Sequence, residues 1–82
     1  MTLFRGLIDD KTLKVLALFI NHPEEYFHIN KVSDDAKVPL ATTFRIINSL
    51  KNNGIIEYKK ISKFKIYSLA NNQKTKQLRR IL

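Results

Sequence analysis

Residues 40–53 read LATTFRIINSLKNN, a run in which Thr42, Arg45, Ser49 and Asn52 fall on one side of a helix, with Ala41 and Asn48 on its flank. That side is made of short polar groups around a single guanidinium. A guanidinium can pair bidentately with guanine O6 and N7, and a carboxamide with adenine N6 and N7. Arg45 is thus the guanine candidate, Asn48 and Asn52 are the adenine candidates, and the hydroxyls of Thr42 and Ser49 can reach a base edge, a phosphate or a sugar. Further on, Lys59, Lys60, Lys63 and Lys65 form the densest basic cluster of the chain. Ammonium groups so placed neutralise phosphates and release counterions, which gives affinity without sequence information. Lysines also protect an exposed strand from aggregation, and the two roles are compatible. Lys31 and Lys37 are further phosphate candidates.

The charge balance agrees with this chemistry. The 82 residues carry fifteen Lys and Arg against seven Asp and Glu, a formal net charge of +8. Residues 1–30 hold three basic and four acidic side chains, whereas residues 31–82 hold twelve and three. One half of the chain should attract a polyanion, and the other should do something else. There is no cysteine, which removes disulfides, thiolate metal sites and cysteine nucleophiles. The longest apolar run, Val15 to Ile20, is far short of the roughly 20 residues that cross a bilayer. Asp9 and Asp10 interrupt the N-terminal region before any leader-like apolar stretch develops, so the expected location is cytoplasmic, on the nucleoid.

Catalysis has little support in the sequence. His22 precedes Pro23 at a helix end, and His28 lies in a strand-like run. Asp9-Asp10 and Asp34-Asp35 read as helix-start and turn residues rather than metal ligands. No glycine-rich phosphate loop is present. The expectation is no enzyme, no metal, no cofactor and no small-molecule effector.

The elements that must position these side chains follow from periodicity. Asp10 can cap a helix over 11–21, where Leu13, Leu16, Ala17 and Ile20 form a stripe that Val15, Leu18 and Phe19 widen. Pro23 stops it. Tyr26–Ile29 reads as a brief strand, and Asn30 can cap a short helix over 31–37 with Val32 and Ala36 inward. Pro39 opens the next helix, 39–53, with Leu40, Thr43, Phe44, Ile47 and Leu50 on its buried side and Gly54 at a left-handed C-terminus. Residues 55–60 and 65–69 then form a hairpin with a basic tip, and Asn71 or Asn72 can cap a last helix reaching Leu82. Phe27, Phe44 and Tyr67 fit core positions, which argues against a stacking platform for single strands.

A short helix, a tight turn and a longer helix make a helix-turn-helix unit, and the hairpin behind it makes a wing. The run Ala41 to Leu50, its continuation Lys51-Asn52-Asn53-Gly54-Ile55-Ile56, and Lys65-Ile66-Tyr67-Ser68-Leu69 resemble the winged helix-turn-helix transcriptional regulators. The resemblance is to the ArsR-like, MarR-like and small archaeal types, and covers about residues 10–70. It implies an α+β, mostly helical fold, with a two- to three-stranded β-wing and an additional terminal helix. It also implies double-stranded DNA as partner, with helix 39–53 in the major groove and the wing at 59–65 on the backbone. The wing lacks the glycine or Asp-Arg tip frequent in those families.

Residues 1–82 are expected to form one domain, with 1–9 and 71–82 as dimerisation extensions. Leu3, Phe4, Leu7, Leu78, Ile81 and Leu82 are the candidate homodimer contacts, the alternative being that they cover their own monomer. The leading expectation is a small regulator, and a repressor in particular. A winged-helix module that binds proteins of the transcription or replication machinery and a non-specific DNA or chromatin binder are the alternatives.

Overall fold

The computed structural model of the chain describes residues 10–81. Helix α1 spans Asp10–Asn21, α2 Ile29–Ala36 and α3 Leu40–Asn52; strands β1 (Ile56–Ile61) and β2 (Phe64–Leu69) follow, and α4 (Gln73–Ile81) closes the order. The expected helices and the hairpin all occur, in the expected order.

In α1 the buried side is Val15, Leu16, Phe19 and Ile20. Leu13 and Ala17, expected at the centre of the stripe, are only half-buried. Phe19 packs edge-on against Phe27, with ring centroids 5.1 Å apart. The strand expected at 26–29 shrinks to one antiparallel bridge between Phe27 and Tyr67. Both of its bonds are short: the Phe27 N–H donates to the Tyr67 carbonyl at 2.7 Å, and the Tyr67 N–H donates back at 2.8 Å. This bridge ties the loop after α1 to the hairpin.

Helix α2 begins earlier than expected. His28, not Asn30, holds the cap position, and it makes no side-chain capping bond. Val32 and Ala36 are buried as expected. At its end Lys37 turns left-handed, φ 56° and ψ 46°. The Lys37 N–H bonds the Asp34 carbonyl and the Val38 N–H bonds the Ser33 carbonyl, which is a Schellman closure. A residue with a Cβ is strained there, by about 1–2 kcal/mol. Lys37→Gly is therefore expected to raise stability by about 1 kcal/mol, read as a higher urea midpoint at unchanged m-value. A lower midpoint would mean that the lysine side chain holds the turn.

Pro39 caps α3 rather than starting it, and its carbonyl accepts the Thr43 N–H at 2.8 Å. The other end repeats the Schellman pattern: Gly54, at φ 76°, donates to Lys51, and Ile55 donates to Leu50. The hairpin is tighter than expected, with a two-residue Ser62-Lys63 turn in place of a four-residue tip. Ser62 alone of the two has positive φ, 55°, in a place that usually takes glycine. Asn72 caps α4. Its Oδ1 accepts the Thr75 N–H at 3.0 Å while its own N–H donates to Thr75 Oγ1 at 3.2 Å, a reciprocal capping box.

The core lies between α1, α2, α3 and the inner face of the hairpin, with Val15, Leu16, Phe19, Val32, Ile47 and Ile56 nearly inaccessible. Among the described residues no helix is long and apolar enough to cross a membrane.

Candidate nucleic-acid interface

Helix α3 is held in place from beneath. Thr43 is fully buried, and its hydroxyl donates to the Val38 carbonyl at 3.2 Å. Ser33 Oγ donates to the same carbonyl at 2.6 Å. One turn carbonyl thus receives a hydroxyl from each helix of the pair, which fixes the angle between α2 and α3. At the far end, Asn72 Nδ2 donates to the Gly54 carbonyl at 2.7 Å and Lys74 Nζ to the Asn53 carbonyl at 2.8 Å. A cation on the last carbonyls also suits the helix dipole.

The buried side of α3 is Thr43, Ile46, Ile47 and Leu50. Leu40 and Phe44, expected inside, are 49% and 53% exposed, and Ile46 is buried instead. At about 100° per residue this turns the helix by roughly 45° from the expected setting. By helix angle the polar stripe therefore centres on Ala41, Arg45, Asn48 and Asn52, of which Asn48 is half-buried and the other three are exposed. Thr42 and Ser49 move to its edge. They line, with Lys11, Thr12, Arg45 and Ile46, a groove of about 530 Å³ between α3 and the start of α1. Leu40, Phe44 and Lys51 form the other edge.

The hairpin sorts its lysines by face. In the observed register Lys60 stands opposite Lys65, Tyr58 opposite Tyr67 and Ile56 opposite Leu69, so these six share the face that reaches the core. Lys51, at the end of α3, and Lys65 both lie against the Tyr58 ring, with ammonium groups 5.0 and 5.2 Å from its centre. The end of α3 and this face of the wing therefore border the same surface. Lys59 is on the opposite face, over the Tyr26 ring at 5.4 Å. Lys63 sits at the exposed tip. Of the other basic candidates, Lys31 is paired with Asp35 at 3.2 Å, and Lys37 is exposed in the turn. Like charges held directly opposite on two strands destabilise them, so the Lys60–Lys65 pair favours a bound anion on this face.

Burial, and next to it the nearby Tyr58, raises the Tyr67 hydroxyl above the usual tyrosine range, so it stays neutral at physiological pH. Among the described residues no three His, Asp or Glu side chains gather as a metal site. Leu78 is half-buried against its own core, and Ile81 ends α4. Leu3, Phe4, Leu7 and Leu82 lie outside the described residues. Lys51 and the exposed Phe44 were not anticipated as site residues. Their seven-residue spacing, which returns nearly to the same side of a helix, was the available signal.

Residues 10–60 match the family model of the IclR helix-turn-helix domain. Comparison with curated protein sequences gives no match. Among solved structures, TubR bound to 24 bp of tubC from Bacillus thuringiensis serovar israelensis pBtoxis superposes with a TM-score of 0.68 at 29% identity, over 82% of this chain and 73% of that one. MepR A103V from S. aureus gives 0.78 at 13% identity, over 98% and 58%. The ferric uptake regulator of Francisella tularensis gives 0.73 at 21% identity, over 80% and 55%. The chain thus spans little more than half the length of the last two proteins, and these two show likeness of fold alone.

Proposed function

Because the chain belongs to the IclR helix-turn-helix domain family, a family of DNA-binding regulator domains, we propose that it binds double-stranded DNA sequence-specifically through α3 and controls transcription as a repressor. The observation that carries this reading is the exposure of Ala41, Arg45 and Asn52 on α3, whose Lys51 shares the Tyr58 ring with Lys65 of the wing. Short polar side chains permit close approach to base edges, while the lysines meet the flanking phosphates. Arg45 pairs with guanine and Asn48 or Asn52 with adenine; Thr42 and Ser49, at the groove edge, take phosphate or sugar. Lys37 adds a backbone contact beside α3, and Lys31 a weaker one because Asp35 already neutralises it. The role is binding rather than catalysis, on the nucleoid in the cytoplasm.

Two copies pair through Leu3, Phe4, Leu7, Leu78, Ile81 and Leu82, with Leu78 also resting on its own core. The Asn72 and Lys74 bonds tie α4 to the end of α3, and a pair that reads two half-sites holds its α3 copies about one helical turn, ~34 Å, apart.

Arg45→Ala tests the reading. It is expected to weaken the preferred duplex by ~1–3 kcal/mol and to erase discrimination at one base pair, with binding to random duplexes little changed. Equal weakening on both duplexes would remove Arg45 from base reading. The likeness to TubR favours a second use of the same interface, in plasmid segregation, since that protein is described as a type III plasmid segregation protein. Mapping bound sites in the cell separates the two: promoters for a regulator, one plasmid-borne locus for segregation.

A further inference from the structure

We propose that Phe44 reads the C5-methyl group of a thymine beside the base pair met by Arg45, an inference that rests on the DNA-binding reading above. Helix α3 buries Ile46, Ile47 and Leu50, yet leaves the Phe44 ring 53% exposed and Leu40 beside it 49% exposed. The ring stands one turn from Ala41 and one turn from Asn48, on the flank of the polar stripe. Lys51, on the same side two turns on, reaches Tyr58 of the wing, so this flank is the one that faces the wing lysines. The occupant of the surface must therefore be anionic and must also offer an apolar projection next to base-pairing polar groups. In the major groove of a duplex the thymine methyl is that projection, and apolar side chains are its usual contacts. A cytosine at the same position leaves the ring against hydrated polar edge, which gives discrimination without a hydrogen bond.

The test uses the duplex that the full chain selects from a random pool, with each thymine replaced singly by uracil, a change that removes only the methyl group. The wild type is expected to bind about fourfold more weakly at one thymine per half-site, the factor for burying one methyl-sized group, and to change little elsewhere. Phe44→Ala is expected to lose that uracil sensitivity while keeping the guanine preference supplied by Arg45; its thermal melt checks that the half-exposed ring was not holding the fold. Selected half-sites without thymine, indifference of the wild type to every uracil, or unchanged uracil sensitivity in Phe44→Ala would each overturn the proposal while leaving duplex binding intact. Tighter binding to single strands, abolished in Phe44→Ala, would overturn it by making the ring a stacking platform. No affinity for any DNA would overturn the parent reading and this one with it.

Discussion

The triple variant Lys60→Ala, Lys63→Ala and Lys65→Ala is expected to flatten the slope of log Kobs against log salt by ~2.7, at ~0.9 for each phosphate no longer neutralised. Lys60 and Lys65 share the hairpin face that borders α3, and Lys63 is at the tip. The weakening should be the same on preferred and random duplexes, because phosphate pairing carries no sequence information. Lys59→Ala is the internal control. Its side chain lies over Tyr26 on the far face, so its slope should stay close to wild type. Salt titrations of the triple variant, Lys60→Ala, Lys59→Ala and the wild type on one duplex check both statements. If Lys59→Ala flattened the slope as much as Lys60→Ala, the wing would lie on DNA by its other face.

Phe19→Ala is expected to have the largest effect on stability, about 3–5 kcal/mol. The ring is fully buried and rests on Phe27, whose backbone pairs with Tyr67 in the wing. Removing it opens a cavity at the junction of α1, the bridge and the hairpin. A domain this small has a net stability toward the low end of the ~5–15 kcal/mol range, so the variant should be largely unfolded near 37 °C. Circular dichroism melts measure this directly. A fall in Tm of only a few degrees would show that the junction collapses to fill the space.

The order of elements was legible because each carries a local signal: Pro23 and Pro39 punctuate, Gly54 closes α3, and Asn72 caps α4. What the sequence concealed was the setting of α3. Ile47 belongs to two overlapping stripes, one with Thr43, Ile46 and Leu50, the other with Leu40, Thr43, Phe44 and Leu50. Periodicity supports both, and hydrophobicity favours the second because it contains the phenylalanine. Packing selects the first, with Thr43 hydrogen-bonded to the turn beneath it. The rotation leaves Arg45, Ser49 and Asn52 exposed and Thr42 and Asn48 half-buried, and it brings Phe44 into the surface.

The wing was harder to bound for a related reason. Neither Ser62 nor Lys63 is a residue that marks a two-residue hairpin turn, yet Ser62 adopts the positive φ that such a turn needs. Tightening the turn by two residues carries the pairing on to Ile61 and Phe64, while Lys60 still stands opposite Lys65, as a four-residue tip between the same two lysines would also place them. Strand alternation alone puts Lys59 and Lys60 on opposite faces, so that division was legible in the sequence; what could not be read was which of the two faces borders α3.

The most direct test of sequence-specific duplex binding is selection of the full chain against a pool of random duplexes at two salt concentrations, with the bound fraction sequenced. The expected result is enrichment of a pseudo-palindrome at both salts, with guanine and thymine at adjacent positions in half-sites centred ~34 Å apart. Binding that vanishes at the higher salt and enriches no sequence would contradict it, and would leave a basic surface that holds phosphates without reading bases.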